Sequence, residues 1–172
     1  RQRAIFPIID AQGRVLGFGG RAMGEAKPKY LNTGDTPVFN KRLGVFAANL
    51  LKKQRNLKRV ILVEGYMDAI ALHQYGFDCA VASLGTSLTE EQVTLLTRYT
   101  EQVILTYDSD EAGQRAAQRA IPMLEKAGIR VKVLLPDWAV PPREKPKCGI
   151  SLPTVREQRF LPDYPVKRPG CS

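Results

Sequence analysis

The chain has 172 residues, 44% of them apolar, with 26 Lys and Arg against 17 Asp and Glu and a formal net charge of +9. That content suits one domain, or one domain with an appendage, and excludes disorder throughout; the longest apolar runs, such as 60–63, fall far short of the ~18 residues a membrane span requires, so no membrane partner is expected. The basic excess points to a polyanionic partner, nucleic acid or nucleotide first, or else to a soluble basic protein with none.

In chain order, "IFPIID" (5–10) and "RVLGFGG" (14–20) joined by "AQG" predict a hairpin. "KPKYLNTGDTP" (27–37) carries turn chemistry throughout. "FNKRLGVFAANLLKKQ" (39–54) places Leu43, Phe46, Ala47, Leu50 and Leu51 at helical spacing.

A regular alternation follows. "RVILV" (59–63) reads as a buried parallel strand, and a helix runs from there to about Tyr75, stopped by Gly76. "CAVAS" (79–83) is a second strand. Thr89 with Gln92 forms a capping-box pattern opening a helix to about Tyr99. "QVILTY" (102–107) is a third strand. The helix over 111–127 presents Ala116, Ala120 and Leu124, stops at Gly128, and is expected to kink or shorten at Pro122. "RVKVLL" (130–135) is a fourth strand. This alternation predicts an α/β fold, a parallel sheet with right-handed crossovers. Residues 136–172 hold 8 of the 12 prolines and show no periodicity, so they read as irregular or disordered.

Three separated cysteines (Cys79, Cys148, Cys171) and a single histidine, His73, leave no zinc-site spacing and suit a reducing cytosol. His73 falls within a helix and reads as structural. The start, "RQRAIFPIID", has no signal-peptide core and no initiator Met, so the chain is expected to begin inside a larger protein.

The acids are placed otherwise than the bases. Glu64 is the first residue past the first parallel strand and Asp108 the first past the third; Asp110 follows two positions on, and Asp68 lies one helical turn beyond Glu64. Ligands of parallel sheets bind at these carboxyl ends, so all four converge if the two strands are neighbours. Two carboxylates ~5 Å apart repel by roughly 3 kcal/mol at an effective dielectric near 20. A divalent cation reverses that sign, and an all-oxygen set selects Mg²⁺ or Mn²⁺. The alternative is that they are helix-start acids favoured by the macrodipole, which suits Glu111 well and Asp110 in part. Gly65 is expected to permit a tight strand-to-helix turn and Gly113 a close helix packing. "DSDEAG" (108–113) fails as a calcium loop, because Ala112 and Arg119 occupy ligand positions. "GFGGRA" (17–22) is not followed by the helix a dinucleotide fingerprint needs, and no P-loop occurs.

"VEGYMDAIALHQYGF" (63–77), "AVASLGTSLT" (80–89) and "YDSDEAGQRAAQRA" (107–120) resemble the toprim domain of bacterial replicative DNA primases of the DnaG type. "IFPIIDAQGRVLGFGGRAMGEAKPKYLNTGDTPVFNK" (5–41) is similar to the primase stretch preceding that domain. The resemblance covers about residues 1–135. It implies that 1–56 are the C-terminal part of the N-terminal polymerase subdomain, 57–135 the toprim domain and 136–172 a tail. It implies a nucleotidyltransferase making short RNA primers on single-stranded DNA from ribonucleoside triphosphates, with Mg²⁺ or Mn²⁺, in the cytoplasm. Glu64 would be the acid/base or metal-linked residue, Asp108 and Asp110 principal ligands, and Asp68 their support. Arg21, Lys29, Asn32 and Lys41 would face nucleotide phosphates and template, although Lys29 and Lys41 also read as ordinary solvated lysines. Gly85 and Thr86 would shape a turn near the acidic edge. After Leu135 the family's further acidic motif is replaced by a segment in which Asp137 alone is acidic nearby. The zinc-binding and helicase-binding parts are not found, so a replicative-helicase partner is expected only of a full-length member and the chain alone is expected to be weak or inactive. Other toprim phosphodiester chemistry, topoisomerase- or nuclease-like, and a non-catalytic nucleic-acid-binding remnant remain as alternatives.

Overall fold

In the hairpin, apolar and small residues alternate across β1 (Arg3–Ile9) and β2 (Val15–Ala22), which pair antiparallel with Ile5 opposite Gly20 and Pro7 opposite Phe18. Its turn is closed by Asp10, whose carboxylate accepts the backbone N–H groups of Gln12 and Arg14 at 2.9 Å each and the Arg14 Nε–H at 2.7 Å. The structure, a computed structural model, describes residues 2–54, 57–84, 87–108, 110–136 and 155–156.

Two local expectations upstream give way to tertiary demands. Within the stretch read as turn throughout, β3 (Tyr30–Asn32) completes a three-stranded sheet by pairing with β2, Arg21 opposite Tyr30. The open edge of β2 supplies backbone partners that three residues take up despite their turn-rich flanks. The helix expected over 39–54 shrinks to α1 (Ala48–Leu51), with Ala47 at φ 64 and Leu43 left exposed. Hydrogen bonds to the neighbouring sheet compete with helix formation here: Phe46 N–H donates to Ala82 O at 2.8 Å, and Ala82 N–H returns a bond to Phe46 O at 3.3 Å. Gln92, fully buried, holds the same segment from its other side, its Nε2 donating to Lys41 O at 3.0 Å and Gly44 O at 2.8 Å.

The alternating region folds as its pattern demands. β4 (Val60–Val63), α2 (Tyr66–Gln74), β5 (Ala80–Ala82), α3 (Glu90–Thr97), β6 (Gln102–Thr106), α4 (Glu111–Lys126) and β7 (Arg130–Val133) follow in order. The four strands are parallel in the order β5-β4-β6-β7, with Val63 opposite Thr106. Their apolar runs are covered on the faces by helices, so Val60, Leu62, Val103 and Leu105 are inaccessible and pack with Leu96 and Leu124. Thr89 and Gln92 make the expected capping box. Pro122 does not end α4, which runs on to Lys126; Pro122 lies on the exposed side of the helix, where the bond its missing N–H removes costs least. Gly128, at φ 82, follows the helix in the left-handed conformation.

β8 (Leu135–Pro136) pairs antiparallel with β9 (Val155–Arg156), a short ladder inside the region read as lacking periodicity. The rest of that tail, with Asp137, Cys148 and Cys171, lies outside the described residues, as do Gly85 and Thr86.

Gln92→Ala strips donors from two carbonyls and opens a void. We expect a loss of about 2–4 kcal/mol in urea unfolding, whereas Thr94→Ala, which removes an exposed bond to Glu90 O, should stay within about 0.5 kcal/mol.

Candidate metal centre and nucleic-acid face

Because β4 lies between β5 and β6, the chain leaves it toward one side through α2 and is joined on the other by β6. The crevice between the carboxyl ends of β4 and β6 is therefore the topological switch point, where ligands of such sheets bind. Glu64 stands at the end of β4 and Asp108 two residues past the end of β6. The Asp108 N–H donates to Glu64 Oε1 at 3.2 Å. Ser83, buried at the end of β5, anchors the same turn by donating its hydroxyl to Glu64 O at 3.1 Å.

Gly113 is what lets α4 approach so closely. A Cβ there would overlap the Asp108 carbonyl oxygen and stand 2.7 Å from Glu64 Oε1. Gly65 sits in the turn from β4 to α2 as expected, with an ordinary φ of −117; a Cβ there would meet only the tip of the Asp68 side chain, 2.9 Å away at Oδ2.

The four carboxylates share one field. Loss of hydration raises the Glu64 carboxyl above its ordinary value, and the charges of Asp108, Asp110 and Asp68 push the same way, against the Asp108 N–H bond. Asp68 is raised too, by loss of hydration and then by Asp108, while the Gly65 and Asp68 N–H groups and Arg21 oppose the shift; its rim stays open to solvent, which screens the effect. Burial and Glu64 together push the Tyr107 hydroxyl up. Sharing a field is not the same as closing on a point. Among the described residues no three His, Cys, Asp or Glu side chains form a ligand set. Asp110 is the N-cap of α4 and accepts the Gly113 N–H at 2.8 Å, so the helix-start reading holds for it. Glu111 is in the first turn and pairs with Arg115. Oxygen donors in a solvent-facing crevice, raised by loss of hydration and further by one another, fit a hard divalent cation, which would relieve their mutual repulsion.

The expected basic and polar residues divide into two groups. Arg21, Lys29 and Asn32 gather around Tyr30 and Tyr66. Arg21 donates to the Tyr30 hydroxyl at 2.9 Å and lies 5.5 Å from its ring, and Lys29 Nζ lies 5.9 Å from the same ring. Asn32 Oδ1 and the Tyr66 hydroxyl are buried with no hydrogen-bond partner among the described residues. Lys41 sits on the segment held by Gln92, half-buried, its N–H donating to Asp35 Oδ1 at 3.3 Å. Two tyrosines were missed. Tyr66 packs against Phe6, Tyr30 and Phe46 with ring centroids 5.4–5.7 Å apart, and so joins the N-terminal sheet to the acidic edge. Its signal was its place between Glu64 and Asp68, where an aromatic residue opens a helix. His73 is structural as read, with Nε2 2.8 Å from Ala80 O.

Carboxylates at the switch point of a small parallel sheet define a toprim-like domain, and the family model described as toprim-like matches residues 61–140. The model for the N-terminal domain of the DNA primase catalytic core matches residues 1–52. The chain is 50% identical over 170 residues to the DNA primase of Escherichia coli K12, covering 94% of this chain, and 46% identical over 171 residues to that of Clostridium acetobutylicum, covering 98%. It spans 29% of the length of each relative. A solved DnaG primase catalytic domain bound to single-stranded DNA superposes with a TM-score of 0.73 at 42% identity, over 85% of this chain and 47% of that one. The chain belongs to the bacterial DnaG-type DNA primases and corresponds to part of their catalytic core. With primases matched on both segments, the topoisomerase-like and nuclease-like alternatives are not favoured.

Two outcomes test this geometry. Gly113→Ala should cost at least about 2 kcal/mol, because the obstructing atom is backbone, while Gly34→Ala, with nothing within 4 Å of the added carbon, should fall within about 0.5 kcal/mol; urea unfolding reads both. The second concerns pH. A carboxyl raised in the folded state takes up its proton on folding, so its ionisation opposes folding as pH rises above 4.5, the ordinary value, through the raised one. In chelator, Glu64→Gln should therefore raise the Tm at pH 7 and leave the Tm unchanged relative to the parent well below pH 4.5.

Proposed function

We propose that this chain is the metal-binding part of a primase catalytic core, with 1–56 contributing the end of the N-terminal subdomain, 57–135 the toprim domain and 136–172 a tail. The reaction it would serve is DNA-templated ribonucleotide joining, in which a 3′-hydroxyl attacks an α-phosphate and pyrophosphate leaves. The observation that carries this reading is the convergence of Glu64 and Asp108 at the switch point, one sheet away from a cationic and aromatic face that the same primase-specific segment builds. Asp108, Asp110 and Glu64 would hold one or two Mg²⁺ or Mn²⁺ ions, with Asp68 supporting. Such ions would neutralise charge at the reacting phosphate and fix its geometry.

The chain's own residues divide the remaining work. Glu64, its carboxyl raised above the ordinary value by loss of hydration, suits the exchange of a proton. Arg21 stands close enough to Asp68 to lower its pKa, so positive charge reaches the rim of the acidic edge. Arg21, Lys29 and Asn32 would meet triphosphate and template there, and Lys41 would add charge from the neighbouring segment. Single-stranded DNA and ribonucleoside triphosphates are the proposed partners; a replicative helicase would be a partner of the longer protein.

Isothermal titration with Mn²⁺ separates the assignments. Asp108→Asn should weaken binding by roughly tenfold or more, and Glu111→Gln should leave it unchanged; equal effects would remove the metal assignment. Labelled ribonucleotide, Mn²⁺ and a single-stranded template then test the chemistry. Little or no primer is expected from this chain, since a productive arrangement tolerates misplacement of only about half an ångström and the chain spans 29% of its relatives' length. Nicking of plasmid DNA abolished by Asp108→Asn would overturn the primase reading.

A further inference from the structure

At the end of the parallel sheet opposite the carboxylates lies an open cleft of about 620 Å³. The residues before β4 contribute Lys58, the turn from α3 to β6 contributes Arg98, Tyr99 and Glu101, and the start of β7 contributes Arg130. Lys58, Arg98 and Arg130 are exposed, and among the described residues none forms an ion pair. Glu101 is the one acid in the lining.

We propose that this cleft binds the sugar–phosphate backbone of single-stranded nucleic acid, as a second contact separate from the acidic edge. Three arguments carry it. Lys58 precedes β4 by two residues and Arg130 opens β7, with β6 between these strands, so the two cations stand about 10 Å apart, two strand spacings, and Arg98 joins them from the end of α3. That breadth suits a chain of phosphates better than one anion. The acidic edge does not cancel them, since four-residue strands separate the two ends by about 13 Å and the Debye length in physiological salt is about 8 Å. The lining also combines planar guanidinium groups, whose donor forks match phosphate oxygens, with Tyr99, a half-buried ring packed on the core with part of its surface open to a base. Arg98 is the C-cap of α3, at the negative end of that helix's dipole, which favours a cation.

The inference does not require the metal site and is tested without metal, by fluorescence anisotropy of labelled oligothymidylate titrated with the full chain over a series of salt concentrations. Arg98→Gln/Arg130→Gln should weaken binding roughly tenfold in low salt and reduce the slope of log affinity against log salt by about 1.4, or 0.7 for each lost phosphate contact. Arg98→Lys/Arg130→Lys should keep that slope. Arg115→Gln/Arg119→Gln, which removes the same charge from the outer side of α4, should change it far less. Should the glutamine pair fail to fold by circular dichroism, Lys58→Gln carries the test with a fall of about 0.7. An unchanged slope in the cleft variants, an equal loss in the α4 variant, or displacement of the oligonucleotide by polyglutamate at matched charge would overturn the proposal.

Discussion

The parallel pairing of β4 with β6 is the constraint from which the site follows. It sets Val63 beside Thr106, so whatever ends these two strands must share one crevice. In this chain both ends are acidic, and loss of hydration together with the neighbouring carboxylates raises the cost of ionising Glu64 and Asp68. That cost is accepted in a protein with nine more basic than acidic side chains. Helix packing does not relieve it, because Gly113 brings α4 down onto the pair instead of holding it away. The fold thus keeps a repulsive arrangement in place through backbone contacts, which a charge change at one side chain does not loosen.

A second sheet is tied to the first through the Ile8, Phe39 and Leu84 cluster and, next to the carboxylates, through Tyr66. Tyr66 opens α2 between Glu64 and Asp68, yet its ring belongs to an aromatic group made with Phe6, Tyr30 and Phe46. The cationic side chains on β2 and beside β3 are therefore located relative to the carboxylates by packing, not by ion pairing. This gives the two charged regions a fixed separation while each stays open to a ligand of the opposite sign.

How far the residues themselves disclosed this depends on the range of the interactions. The parallel sheet, the capping box at Thr89 and the stop at Gly128 are local patterns with local causes, and they could be read directly. The neighbourhood of β4 and β6 was only the condition on which the acids could converge, and the sheet order meets it. What could not be read was set from a distance. Phe46 and Gln92 bond across the chain and leave only Ala48–Leu51 of a sixteen-residue helical pattern as helix. β3 exists because β2 had a free edge. Gly65 does lie in the strand-to-helix turn, but its ordinary φ means that the turn itself does not demand glycine. Asp110 shows the limit within the site: spacing placed it among the ligands, while its nearest partner is the helix it caps.

The Phe46–Ala82 bridge has a bearing beyond the position of α1. β5 is an outer strand of the parallel sheet, and its unpaired backbone would otherwise offer a template to a strand of another molecule. Phe46 occupies that backbone at Ala82 from within the same chain. On the other outer strand, β7, Arg130 and Lys132 put two positive charges along a four-residue edge. The sheet is thereby guarded at one margin by self-pairing and at the other by charge, which keeps a strand-rich, partly apolar domain from growing into a polymer through its edges.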